Sequence, residues 1–291
     1  MQTSGSEIDI ESLWEYSDPA GSEERFRAAL ISAEGDGRLE LLTQIARTFG
    51  LRGRFDEAHA LLDDVESALR DAGLRPRVRY LLERGRTLNS SNHKEKARPL
   101  FMLAWEAARA AGLEGLAVDA AHMVAITFSG SPEAIEWNRR GLDMAHPSQD
   151  PKARALIPAM LNNLAWDLHD SGNAAEALPV FEEAQAEWVA RHRPDQIRIA
   201  RWSTARCLRS LDRSEEALTI QRLLEAEHVR AGSADGYVFE EIAENLAALG
   251  RTDESRPYFE KAFVELGKDE WFVQNEATRL ASLMARATAP K

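Results

Sequence analysis

A charged residue followed by a small one recurs six times along this chain, at Glu57-Ala58, Lys96-Ala97, Glu133-Ala134, Glu176-Ala177, Glu216-Ala217 and Glu254-Ser255. The small positions are 39, 37, 43, 40 and 38 residues apart. A period of that size is one supersecondary unit per step. Such an array buries its core between neighbouring units, so the period fixes the fold class and leaves function to the exposed faces.

The surroundings of each landmark repeat as well. Five residues upstream stand Gly53, Asn92, Gly172, Asp212 and Gly250, residue types that tolerate the left-handed conformation between two helices. Twelve upstream stand Ala46, Gly85, Ala165, Ala205 and Ala243, small enough for two helix backbones to approach. Four downstream, on the landmark's own helical face, stand Leu62, Phe101, Phe181 and Phe259. Each unit therefore reads as two antiparallel helices with a tight turn, small residues at the crossing and a bulky knob beside it.

This pattern, best seen in Asn163 to Ala177 and Ile45 to Ala58, resembles the tetratricopeptide repeat family from roughly Leu39 to Leu266. The resemblance implies an all-α fold, a right-handed α-α superhelix in which the first helix of each pair lines a concave groove. Steps near 40 exceed the family's usual ~34, which predicts longer helices. The expected organisation is an N-terminal helical pair over residues 1–38, six helix pairs over 39–268, and a closing helix and tail over 269–291. Ile8 to Tyr16 and Ser22 to Ala33 read as the N-terminal pair, separated by Asp18-Pro19. Phe128 to Pro132 reads as a shortened turn in an irregular third unit. Glu270 to Ala287 reads as one closing helix, with Trp271, Phe272, Leu280 and Leu283 covering the end of the stack, and residues 288–291 are expected to fray.

A net charge of −12 lacks the basic footprint of a nucleic-acid binder. One cysteine, Cys207, makes no internal disulfide. Residues 1–10 lack the apolar run of a secretory signal, and no stretch approaches a membrane span, so the expectation is a soluble, cytoplasmic protein. His122, His169 and His192 lack metal-ligand spacing, and the phosphate-binding glycine loop and the nucleophile elbow are absent. No cofactor and no catalysis are expected.

Positions fifteen, eleven and eight before each landmark form one stripe on the first helices. They are Thr43, Arg47 and Gly50, then Leu82, Arg86 and Asn89, then Asn162, Trp166 and His169, then Trp202, Arg206 and Arg209, and finally Glu240, Glu244 and Ala247. Registered on Ala125, the third unit adds His122. Tryptophan and arginine dominate binding in desolvated pockets, and Asn162 with Asn163 supplies donors and acceptors for a peptide backbone. The opposing reading makes Trp166 and Trp202 spacers between first helices.

Arg191 to Arg213 carries seven arginines against Asp195 and Asp212. Arg206 and Arg209 point to a guest with an acidic side chain or a C-terminal carboxylate, or to a small anionic metabolite. The family resemblance adds a carboxylate clamp of the kind some members build from lysine, arginine and asparagine, with Asn162 or Asn163 and Arg206 in place and no match for its lysines. Against this stands internal neutralisation of the arginines by glutamates on neighbouring helices. Glu240 and Glu241 are expected opposite Arg206. The reading is a scaffold that captures a peptide, a protein tail or a small anionic ligand in the groove. Its alternatives are a ligand sensor, or an enzyme with an unfamiliar site around His122, Asn162, Arg206 and Glu240.

Overall fold

A computed structural model describes residues 9–288, and every regular element in that range is helical. The chain divides between Met160 and Leu161 into two compact units. In the first, one 3-10 turn (Glu11–Leu13) precedes α1 (Pro19–Leu30) and a second (Leu69–Asp71) follows the third helix. Three pairs follow, α2 (Gly35–Leu51) with α3 (Phe55–Ala68), α4 (Leu74–Ser90) with α5 (Lys94–Ala110), and α6 (Glu114–Thr127) with α7 (Pro132–Ala145), then the short α8 (Pro151–Ala155). The second unit takes most of α9 (Ile157–Asp170) with α10 (Ala174–Ala190). It continues through α11 (Pro194–Ser210) with α12 (Ser214–Arg230), α13 (Gly236–Ala248) with α14 (Thr252–Leu266), and closes with α15 (Glu270–Asn275) and α16 (Ala277–Thr288). No helix among the described residues is long and apolar enough to cross a membrane.

The long period has a simple origin: α10, α11 and α12 are each 17 residues, joined by three-residue turns, so two helices and two turns fill a step of 40. All six landmark side chains are buried, as are Ala46, Ala165, Ala205 and Ala243 across the crossing and Leu62, Phe101, Phe181 and Phe259 beside it. The turn residues Gly53, Asn92, Gly172, Asp212 and Gly250 all have φ between 59° and 85°, the left-handed region that lets one helix stop and reverse. A second left-handed series, Gly112, His192 and Gly232, sits fifteen residues after three of the landmarks and makes the turn into the next pair.

Several expectations change. Of the expected helix Ile8 to Tyr16, Ile8 lies outside the described residues and residues 9–16 carry one 3-10 turn, Glu11–Leu13, rather than a helix, while Asp18-Pro19 begins α1 instead of merely separating two helices. Proline at the first helical position loses no internal bond, and Asp18 caps the end by accepting from the Gly21 amide at 3.0 Å. The third-unit turn, 128–131, is one residue longer than turns such as 52–54, not shorter. The closing segment breaks at Glu276 into two helices. Phe272 and Leu283 are buried and Leu280 packs on them, but Trp271 is exposed. Of the tail expected to fray, Thr288 ends α16 and residues 289–291 lie outside the described range.

Candidate functional site

On the second unit, the first helices carry a row of aromatic rings. The Trp166 and Trp202 centroids are 6.0 Å apart, Trp202 and Tyr237 6.2 Å, and Tyr237 and Phe272 5.8 Å. Trp166 also meets Phe181 edge-on at 5.0 Å and the His169 ring at 5.3 Å. Trp202 and Trp166 stay half-buried, so the row packs between helices and still offers ring surface. The Trp202 indole N–H is satisfied by the Tyr237 carbonyl at 3.2 Å. Beside it lies a mainly apolar cavity of about 380 Å³ walled by Ile199, Trp202, Leu224, Tyr237 and Val238, with Arg198, His228 and Asp235 at its polar edge.

The arginines of α11 are answered from the next repeat. Arg209 grips the Glu241 carboxylate with two bonds of 2.9 Å, and Arg206 approaches the same carboxylate at 3.2 Å. Glu241 is buried, and the two guanidinium groups offset its loss of water. Burial pulls the Arg206 guanidinium below its ordinary value; burial opposes the charge of Arg209 as well, but its bonds to Glu241 together with the charges of Glu241, Glu244 and Glu240 hold it above. Arg206 also donates to Ser210 Oγ at 2.8 Å, and that hydroxyl lies 2.9 Å from His169 Nε2. The expectation that both glutamates face Arg206 is corrected. Adjacent helical residues diverge by about 100°, so Glu240 turns to α16 and pairs with Arg279 at 2.7 and 2.5 Å. The two carboxylates therefore form no acid–base pair. Arg191 and Arg213 pair near helix ends with Glu187 and Glu216. Asn162 and Asn163 are half-buried on α9. Cys207 is buried, donates to the Ala174 carbonyl at 3.3 Å, and burial pushes its thiol up.

The first unit repeats the ion-pair device. Arg47 of α2 and Arg86 of α4 reach the buried Glu83 at 3.5 and 2.8 Å, and Arg86 continues to Asp119 of α6 at 2.5 Å. Asp119 thus stands where Glu83 and Glu241 stand in their own repeats, which registers the third unit on Ala121 rather than Ala125. His122 is half-buried beside this network, and burial pushes its imidazole below the ordinary histidine range. Thr43 and Leu82 are buried, so the front of the stripe belongs to the core in the first two repeats. His122 and Arg86 belong to this unit; Asn162, Asn163, Trp166, Trp202, Arg206, Arg209, Glu240 and Glu241 belong to the other. A cavity of about 580 Å³ opens here on α2, α4, α6 and α8, with Glu11 and Tyr16 of the N-terminal segment among its walls. Among the described residues no cluster of three or more His, Cys, Asp or Glu side chains is placed to hold a metal ion.

A tetratricopeptide-repeat family model matches residues 159–185, which cover most of α9, the turn after it and most of α10. Among solved structures, the apo form of RapI superposes with a TM-score of 0.72 at 11% identity, covering 94% of this chain and 81% of RapI. The chain shares the fold of these tetratricopeptide-like helical-repeat proteins. A signal-transduction ATPase with a tetratricopeptide-repeat sensor from Pyrococcus horikoshii also gives 0.72, at 13% identity, over 91% of this chain and 42% of that one. NprR in complex with its cognate peptide NprX gives 0.53 at 12% identity, over 97% and 87%. A search of curated proteins gave no match. Sequence reasoning missed Tyr237 and Phe272 as continuations of the tetratricopeptide-like aromatic row. Their signal was a recurrence of aromatics at steps of 36, 35 and 35 residues, from Trp166 through Trp202 and Tyr237 to Phe272.

Proposed function

We propose that this chain is a binding scaffold that captures a peptide or protein segment on the first-helix face of its second unit, and that it acts by binding rather than by turnover. The observation that carries the reading is the aromatic row Trp166, Trp202, Tyr237 and Phe272 beside an apolar cavity. Rigid aromatic surface next to a pocket suits the anchor side chains that dominate binding energy. NprR, which shares the fold, was solved with its cognate peptide, and that supports a peptide as the guest class. Asn162 and Asn163 stand on the same helix as Trp166 and supply backbone-type hydrogen bonds.

The paired state of Arg206 and Arg209 refines the charge argument. An acidic side chain, a C-terminal carboxylate or a small anionic metabolite would compete with Glu241 for the two guanidinium groups. Such competition loosens α13 from α11, and this is the specific observation behind a second reading, a ligand sensor. The test is selection of binding peptides from a random library, followed by titration against variants. Trp202→Ala is expected to weaken the selected peptides by about tenfold or more, whereas Arg213→Ala, at an exposed surface pair, should leave them unchanged. Equal effects of the two variants would contradict the assignment.

A further inference from the structure

The cavity of the first unit is walled on one side by the chain's own N-terminal segment. Ile10 is buried in the core formed with Phe26, Leu41 and Ile45, and from there the chain crosses the first helices. Trp14 donates its indole N–H to the buried Gln44 at 3.0 Å, and Tyr16 stacks on Trp14 at 4.7 Å. The Arg47 guanidinium lies 5.5 Å from the Trp14 ring and 5.3 Å from the Tyr16 ring, in cation–π range. Glu11 places its carboxylate 3.7 Å from Arg79 and 3.8 Å from Lys152. The wall also includes Leu116 and Asp119 of α6 and Leu156 at the end of α8.

These contacts are those of a bound peptide. A carboxylate sits between two cations, an aromatic pair covers a guanidinium, and an indole is hydrogen-bonded to a buried amide. The segment has one 3-10 turn of its own. Its C-terminal part is held by α1, where Arg25 donates to the Leu13 carbonyl at 2.9 Å and Trp14 meets Phe26 edge-on at 5.0 Å, while Glu11, Trp14 and Tyr16 are seated on side chains of α2, α4 and α8. The seat also retains unused capacity: Arg47 Nε and Glu83 Oε2 are buried without a hydrogen-bond partner. Both become reachable to a guest's backbone if the ring pair lifts from Arg47.

We propose that this face of the first unit is a peptide site whose tethered occupant is the segment Ile10–Tyr16. It takes in trans a partner segment of the same chemistry, an acidic residue followed three and five positions later by aromatics. The site is separate from the aromatic row of the second unit and does not rest on that assignment. Tethering places the native segment at an effective concentration on the order of millimolar, so a partner peptide competes poorly until the tether is weakened.

The test uses a fluorescein-labelled peptide copying residues 9–17 and the full chain. Glu11 and Tyr16 are exposed and Lys152 is half-buried, so Glu11→Lys with Tyr16→Ala weakens the tether without opening the core. Anisotropy titration should give binding to this double variant about tenfold or more tighter than to the wild-type chain. Adding Lys152→Glu should remove about tenfold of that affinity, whereas Trp202→Ala should not change it. Should the double variant lose its fold, Glu11→Lys alone carries the same comparison. Equal affinity for the wild-type and weakened chains, no binding to either, or indifference to Lys152→Glu would overturn the proposal.

Discussion

Arg206 on α11 and Glu241 on α13 lie 3.2 Å apart across two successive repeats, and Glu241 also receives both arms of Arg209 at 2.9 Å. In the first unit Arg47 and Glu83 hold the corresponding positions. In both places a buried carboxylate takes an arginine of the preceding first helix, and it has a second arginine from that same preceding helix in the second unit (Arg209) and from its own helix in the first (Arg86). The expected result of Glu241→Gln is a loss of about 2–4 kcal/mol, because two partly buried guanidinium groups lose their counter-charge. Urea unfolding followed by circular dichroism measures it. A change under about 0.5 kcal/mol, the size of an ordinary surface substitution, would mean the pair is solvated.

Gly85 is the one crossing residue smaller than alanine. A methyl group added there would lie 2.5 Å from the Phe101 ring, closer than packed carbons tolerate. Gly85→Ala should destabilise the first unit by about 1–3 kcal/mol through overpacking. The second substitution Phe101→Leu should recover part of the loss, since Leu62 holds that place in the preceding repeat. No recovery would show that the strain is relieved elsewhere.

Gln221 occupies the place that Phe101, Phe181 and Phe259 hold in other repeats. It is fully buried, and neither of its amide atoms has a hydrogen-bond partner. Gln221→Leu removes that desolvation cost and should stabilise the second unit by about 1–3 kcal/mol. An unchanged or lowered urea midpoint would argue for a polar role of the amide.

His122 gives the first unit an acid-sensitive element. Burial pushes its imidazole below the ordinary range, Asp119 pulls the other way, and Arg86 adds to the depression. The unfolded chain therefore binds this proton more readily, so stability is full at neutral pH and declines as pH falls from the ordinary histidine value toward the lowered one. Asp119 acts lower on the scale: burial opposes its ionisation, but Arg86 and Arg47 prevail and hold its carboxyl below the usual range. Its contribution is present above the ordinary carboxylate pKa and is lost as pH falls through the depressed one. His122→Asn should flatten the drop in urea midpoint between about pH 7 and about pH 5.5. Parallel pH curves for variant and wild type would exclude it as the titrating group.

The repeat was legible because its determinants are local. Landmark, turn residue and crossing residue lie within one helix pair, and each kept the burial or the left-handed φ its spacing implied. Trp166 and Trp202 were legible for the same reason, since helical periodicity puts them on first helices facing each other. Partner choice was less so. Glu240 meets Arg279 rather than Arg206 because α16 returns beside α13, a tertiary placement with no local signal. Ile8 to Tyr16 reads as a helix in the sequence, yet Trp14 and Tyr16 take their positions from Gln44 and Arg47, 30 and 31 residues away.

The most direct test of the binding account is a crystal structure of the chain with a library-selected peptide. The account predicts peptide density along Trp166, Trp202 and Tyr237, with an anchor side chain in the cavity beside Leu224 and Val238. Density on the outer helices α10, α12 and α14 instead, with the aromatic row uncovered, would contradict it.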